Sequence, residues 1–292
     1  MFSYILYGVI WAVSYLPFWL LYGVADLNYV LLYHVARYRR RVVRENLRRS
    51  FPEKDAREIR RIERRYYRHM ADLSVETYKL WHMSEREIRR RCVFRNVELP
   101  RRYFAEGRSV IGVLGHYGNW EWLSSFGLWE KEADFLVLYK PIRNRVVNRM
   151  TYAIRSHFGA IPVDRKDALR TIARYRSEGR LFLAGFIGDQ TPNQWNLNFW
   201  TEFLHQDTPV LLGTERIATK YNLPVVSVRM RKVRRGYYEV EFVDVCAHPK
   251  ELETGELTRR HTRLLESFIR EEPEFWLWSH RRWKHKRVDN VK

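Results

Sequence analysis

The chain opens on an apolar stretch. Residues 1–25 contain no charged side chain, and residues 2–22 are apolar or aromatic almost throughout. A helix over 2–22 is long enough to cross about 30 Å of hydrocarbon, with Pro17 expected to kink or split it. The aromatics Phe2, Tyr4, Tyr7, Trp11, Tyr15, Phe18 and Trp19 favour a membrane or its interface over a globular core. A secretory signal peptide is disfavoured, because there is no basic leader and no clear small-x-small cleavage site. The second apolar stretch, 27–36, is short for a span and completes a re-entrant hairpin or lies in the interface.

A helical period follows. Ile59, Ile62, Tyr66, Met70, Leu73, Thr77 and Leu80 recur as one stripe and predict an amphipathic helix over about 54–80. Ser50-Phe51-Pro52-Glu53 has the spacing of a capping box for it, and Ser84 to Glu87 repeats that spacing for a short helix. Residues 91–94 read as a strand. From residue 109 short apolar runs alternate with helical periods. Strands are expected at 109–114, 134–139, 160–163 and 181–186. Helices are expected at 120–126, 144–158, 166–177 and 208–221. Residues 224–230 and 237–245 read as a hairpin pair, and 255–271 and 273–283 as closing helices. Such alternation predicts an α/β fold with a mixed, largely parallel central sheet flanked by helices, preceded by an N-terminal membrane-anchoring helix. The expected organisation is a membrane anchor or hairpin at 1–36, a basic helical region at 37–106, and an α/β core with closing helices at 107–292.

Charge narrows the partners. Lys+Arg number 53 against 34 Asp+Glu, a net charge of +19, so an anionic partner is implied: nucleic acid, an anionic membrane face, a phosphorylated substrate or an acidic protein. Arg37, Arg39, Arg40, Arg41, Arg44, Arg48 and Arg49 follow the apolar segment directly. That placement puts the body of the protein on the cytoplasmic side, with the arginines against anionic headgroups. The two cysteines, Cys92 and Cys246, are far apart and fit a reducing compartment without a disulfide framework or a zinc ribbon.

The chemistry concentrates in Gly115-His116-Tyr117-Gly118-Asn119-Trp120-Glu121. A histidine leaves the carboxyl end of a buried strand, where open α/β sheets place their ligand crevice. Five positions along one regular helix lie about 140° apart, so His116 and Glu121 meet only if a turn at 116–118 precedes the helix. Glu121 then fixes the tautomer of His116, and the free imidazole nitrogen is a general base toward a hydroxyl of the substrate. The alternative for this pair alone is a polar strand end and a first-turn acid favoured by the helix dipole. His157, His205 and His248 have no partner at a telling spacing and read as structural.

Four stretches in order resemble the blocks of the glycerolipid-type acyltransferases. They are His116 to Glu121, Gly159 to Arg165, Phe186-Ile187-Gly188-Asp189-Gln190-Thr191, and Leu223-Pro224-Val225-Val226. Two further stretches, Tyr139 to Asn144 and Pro273 to Lys284, are similar to the late acyltransferases of lipid A biosynthesis. The third block departs from the glycerolipid pattern by carrying Asp189-Gln190-Thr191-Pro192, and the lipid A branch also tends to an aspartate there.

The resemblance implies transfer of a fatty acyl chain from acyl carrier protein to a hydroxyl or hydroxyacyl group of an anionic, phosphorylated lipid A precursor. The expected location is the bacterial inner membrane with the catalytic domain cytoplasmic. His116 and Glu121 are the expected catalytic pair. Gly118 and Asn119 backbone N–H groups are expected at the oxyanion, with Arg165 as a further candidate there. Arg165, Asp189, Lys140 and Arg143 are expected to bind substrate, since guanidinium suits phosphate. No metal, no cofactor and no nucleic acid are expected. The alternating Trp and basic residues of 276–287 suit a lipid interface better than base stacking in a chain with an anchor.

Other functions compete. An acyltransferase of the same superfamily acting on another glycolipid or an aminolipid keeps the same residues. A basic, membrane-associated binding protein without catalysis is another reading. A metal-dependent hydrolase using His116, Glu121, Asp189 and His205 ranks last, because the spacing matches no compact metal motif.

Overall fold

The computed structural model describes the backbone of residues 2–287 and the side chains of residues 7–287. The helices are α1 (Phe2–Ser14), α2 (Phe18–Val30), α3 (Arg40–Ser50), α4 (Ala56–Lys79), α5 (Glu85–Arg91), α6 (Glu98–Ala105), α7 (Arg145–Ser156), α8 (Ala168–Ser177), α9 (Gly213–Tyr221) and α10 (Glu256–Glu271). The strands are β1 (Cys92–Phe94), β2 (Val110–Leu114), β3 (Asp134–Tyr139), β4 (Ile161–Asp164), β5 (Phe182–Ile187), β6 (Trp200–Phe203), β7 (Gln206–Pro209), β8 (Val225–Arg234) and β9 (Tyr237–Cys246).

Seven strands form one sheet in the order β1-β9-β8-β2-β5-β3-β4. All neighbours run parallel except the β8–β9 hairpin, so the expected α/β class and the hairpin are both present. β2 is central, and its Val110, Ile111 and Val113 are buried, as a parallel strand covered on both faces requires. Trp122, Phe126, Phe135 and Leu183 belong to one apolar cluster on the sheet, and Ile111, Leu136, Ile172 and Tyr175 to another.

The N-terminus differs from the single span expected. α1 ends at Ser14 and α2 begins at Phe18, because Pro17 offers no N–H to continue the ladder. Lys79 closes the break, its Nζ donating to the carbonyls of Ser14 at 3.2 Å, Tyr15 at 3.5 Å and Leu16 at 3.0 Å. Each helix has 13 residues, about 20 Å of rise, and no helix among the described residues is long and apolar enough to cross a membrane. α2 instead packs on α4, with Leu21 and Ala25 against Ala71 and Val75. The apolar stretch 27–36 completes α2 and one π-helical turn, Leu31–Val35.

The cap of α4 is Asp55, five residues after the expected Ser50. Asp55 accepts from the N–H groups of Arg57 at 2.6 Å and Glu58 at 2.8 Å, and Glu58 accepts in return from Asp55 N–H at 3.2 Å. Ser50 is the buried last residue of α3. The arginine run is also not uniformly solvated. Arg40 and Arg44 both donate to the buried Glu63 of α4, at 3.0 and 2.9 Å, and Arg39 donates to the Ser279 carbonyl at 3.0 Å. Residues 206–209 form a strand where a helix start was expected, pairing with β6 in a two-stranded ribbon. Beyond a 3-10 turn at Pro273–Phe275, the expected closing helix is irregular chain with turns at 278–279 and 282–283, with Trp276, Trp278 and Arg282 buried.

Candidate active site

β2 and β5 are adjacent and parallel, with Leu114 opposite Ile187. Two residues beyond that last pair stand His116 on one chain segment and Asp189 on the other. The register therefore brings the two side chains together. His116 Nδ1 donates to Asp189 Oδ1 at 2.6 Å, and His116 backbone N–H donates to Asp189 Oδ2 at 2.8 Å. Trp276 Nε1 donates to the same Oδ2 at 2.8 Å. Asp189 is thus a buried carboxylate with three donors, the arrangement that makes a buried charge tolerable.

The electrostatics follow. Burial pushes the Asp189 carboxyl up, but the His116 charge, the two His116 hydrogen bonds and the Trp276 donor outweigh it and hold the group down to about 2. Burial pulls His116 down, and the Asp189 charge and hydrogen bond overcome this, with Glu121 adding to them, so its pKa lies above the ordinary value. With Nδ1 committed to Asp189, the lone pair of neutral His116 is on Nε2.

His116 lines a cleft of about 490 Å³ at the carboxyl edge of the sheet. One part of the lining is apolar, with Leu123, Phe135, Val137 and Phe186, and another is polar, with Glu121, Lys140, Arg155, Arg165 and Gln190. Such a volume and mixture suit an amphiphilic ligand.

Glu121 lines this cleft but does not hold His116. Arg155, at the end of α7, donates to it twice, Nε to Oε2 at 2.8 Å and Nη2 to Oε1 at 2.7 Å. The reason is local. Gly118 takes φ +64°, and a Cβ there would meet Met230 Cγ and its carbonyl oxygen at 3.1 Å. The turn presses onto β8 and re-emerges as a 3-10 segment, Trp120–Leu128, which presents Glu121 to α7. The carboxylate bonded to His116 is therefore Asp189, in place of the expected Glu121.

The expected backbone donors at the turn are also taken. Gly118 N–H bonds the Phe275 carbonyl at 3.0 Å, and Asn119 N–H bonds Met230 Sδ at 3.1 Å. The Asn119 side chain donates to the buried Glu76 of α4 at 2.8 Å. Both of these N–H groups are therefore anchored inward, away from a ligand in the cleft. Lys140 and Arg165 are exposed and line the cleft, whereas Arg143 is exposed and outside its lining. Among the described residues no group of three or more His, Cys, Asp and Glu side chains is arranged to hold a metal ion. His205 lies beside Arg270, its Nε2 3.2 Å from Arg270 Nη2.

The order of these pieces along the chain matches a known group of enzymes. The family profile described as bacterial lipid A biosynthesis acyltransferase matches residues 1–285. The chain belongs to this family. It is also similar to the lipid A biosynthesis lauroyltransferase of Escherichia coli (strain K12), with 24% identity over 281 residues, covering 95% of this chain and 89% of that protein. The protein is thus an acyltransferase of the lipid A biosynthesis family, with a mostly parallel sheet flanked by helices.

Three residues of this candidate site escaped sequence reasoning. Arg155 sits in the last turn of α7, where a cation reads as a partner of the helix dipole. Gln190 is a neutral surface residue by type. Trp276 lay in a stretch singled out for its tryptophans, but nothing in the sequence points its N–H at Asp189.

Proposed function

We propose that this lipid A acyltransferase carries out direct transfer of a fatty acyl chain. The donor is the thioester of acyl carrier protein, and the acceptor is a hydroxyl of a phosphorylated, partly acylated lipid A precursor. The observation that carries the reading is His116, locked through Nδ1 by buried Asp189 at 2.6 Å and turned toward the cleft. Neutral His116 takes the acceptor proton at Nε2. Asp189 stabilises the imidazolium that results, and His116 then protonates the leaving thiolate. No nucleophile of the protein is needed.

Glu121 acts one step away, by holding the Arg155 guanidinium in the cleft. Lys140 and Arg165, exposed at its rim, suit the phosphate groups of the acceptor, and Leu123, Phe135, Val137 and Phe186 suit the acyl chain. The +19 charge favours an acidic carrier protein and anionic lipid, with encounter rates that fall as salt rises.

Membrane contact is assigned to the first two helices and the turn after them. Trp11, Tyr15, Trp19, Leu27, Leu31 and Val35 are exposed there, Trp19 to 73%. Exposed Arg37 and Arg41 follow. Aromatics and cations beside an apolar face suit helices lying in the interface plane of the inner membrane, with the cleft on the cytoplasmic side.

His116→Ala tests the reading. Transfer in a purified assay is expected to fall by at least about 10³-fold, the scale for removing a general base that acts in both half-steps, while folding and vesicle binding persist. Mass spectra of lipid A from cells with and without the gene then report the mass of the missing chain. Transfer undiminished in the alanine variant overturns the mechanism, and identical spectra overturn the acceptor.

A further inference from the structure

Direct transfer places negative charge on the thioester oxygen as the acceptor attacks, and that charge needs a fixed donor. The polar groups around His116 are mostly committed. Gly118 and Asn119 N–H point inward. Trp120 Nε1 donates to Glu121 at 3.2 Å, and Arg155 is held by the same carboxylate. Gly188 N–H reaches back to the Leu114 carbonyl at 3.4 Å.

Gln190 differs. Its Nε2 lies 3.2 Å from His116 Nε2, and its side chain has no other hydrogen-bond partner among the described residues. Chemistry fixes which end of the amide faces the ring. In neutral His116 the single ring proton is spent on Asp189, so Nε2 is an acceptor and the amide presents N–H to it. The backbone on either side is held. Asp189 precedes it with three hydrogen bonds. Thr191 follows, its N–H on His280 Nε2 at 3.0 Å and its hydroxyl donating toward the Arg282 carbonyl at 2.6 Å. A side chain that is exposed but rooted this firmly has a defined reach across the cleft.

We infer that Gln190 is a catalytic residue whose carboxamide N–H guards His116 Nε2 in the empty site and donates to the oxyanion during transfer. This inference rests on the reading of the site given above. The acceptor oxygen displaces Gln190 from Nε2 and donates its own proton there. As that proton passes to His116, the acceptor oxygen forms its bond to the thioester carbon, and the carbonyl π pair moves to the oxygen. Gln190, now one atom position away, donates a hydrogen bond to that oxygen and transfers no proton. The carbonyl reforms, the C–S bond breaks, and the thiolate takes the proton from His116.

The test uses the full chain with an acyl thioester of acyl carrier protein and a phosphorylated, partly acylated disaccharide. Gln190→Ala is expected to lower kcat by about 10²–10³-fold, the scale for loss of one oxyanion donor, with KM changed less than threefold. Gln190→Glu, isosteric but unable to donate when ionised, is expected to be at least as impaired, and Gln190→Asn to recover part of the loss. Lys140→Ala serves as a comparison, with its effect expected in KM. A Gln190→Ala enzyme with kcat within threefold of the parent, or with its loss confined to KM, overturns the inference. If His116→Ala is inactive in the same assay, only the role of Gln190 falls; if His116→Ala is active, the underlying mechanism falls with it.

Discussion

Two carboxylates act on His116, one from behind it and one from the cleft lining, and they are built differently. Asp189 is buried behind the histidine and takes three neutral or weakly acidic donors. Glu121 is in the cleft lining and takes a bidentate guanidinium. The first arrangement couples a negative charge to the proton affinity of one imidazole. The second neutralises a carboxylate and presents a rigid cation-acid pair to whatever enters. Sequence proximity favours Glu121 as the partner of His116, and strand adjacency delivers Asp189. Two acids within reach of one base are therefore not interchangeable, and their separate replacement has distinct signatures.

The largest expected effect is that of Asp189→Asn. The amide cannot stabilise an imidazolium and admits the wrong tautomer, a loss of about 10³–10⁴-fold in comparable relays. Its pH profile moves as well. In the parent, kcat/KM rises with pH through a His116 pKa above 6.5, because the neutral base is the active form. Without the Asp189 charge, burial governs His116 and the midpoint falls below 6.5. Glu121→Gln is expected to cost less, about 10²-fold, with a smaller downward shift of the midpoint, since Glu121 also raises His116 from a greater remove. If Glu121→Gln moves the profile further than Asp189→Asn, the roles assigned here are exchanged.

The contrast also shows what the sequence could and could not reveal. The apolar run of β2, His116 at its end and the alternation of strand and helix were legible because period and burial are local properties. Asp189 was visible as part of a block, but its partnership with His116 spans 73 positions and depends on β5 lying beside β2. The turn at Gly118 was legible as a turn. Its direction was not, because that is set by Met230 on β8, more than a hundred residues later. The N-terminal apolar stretch was legible as apolar, and Pro17 as a break. That Lys79 of α4 would receive the freed carbonyls needed the packed structure.

The apolar part of the cleft gives an intermediate effect. A Cβ on Gly185 would lie 3.6 Å from the Phe135 ring and 3.7 Å from Leu114 Cδ2, ordinary contact distances, so the strand accepts a Cβ here and the branches of a valine take up space in the cleft that Gly185 lines. Gly185→Val is expected to reduce transfer of the preferred chain about 10-fold, in the range of one to three kcal/mol for a methylene-sized misfit. Donors two to four carbons shorter are expected to lose less. Assays over a series of acyl carrier protein thioesters check this. A uniform loss at every length places the acyl chain elsewhere.

The smallest effect is the most discriminating between the two carboxylates, because its sign is opposite. Trp276→Phe keeps an aromatic ring within the cluster of Phe203, Trp278 and Trp283 and removes only the N–H that Asp189 Oδ2 accepts. A hydrogen bond to a charged group is worth about 1.5–3 kcal/mol, and that much stability is at risk. Catalysis feels only the part that differs between neutral and protonated His116. Relieved of one donor, Asp189 becomes more basic and binds the imidazolium more tightly, so the His116 pKa rises. The kcat/KM midpoint of Trp276→Phe is therefore expected to move up, with a few-fold loss at neutral pH that recovers at higher pH. A downward shift, in the direction of Asp189→Asn, would mean that the tryptophan holds the carboxylate in place, and that its position matters more than its charge.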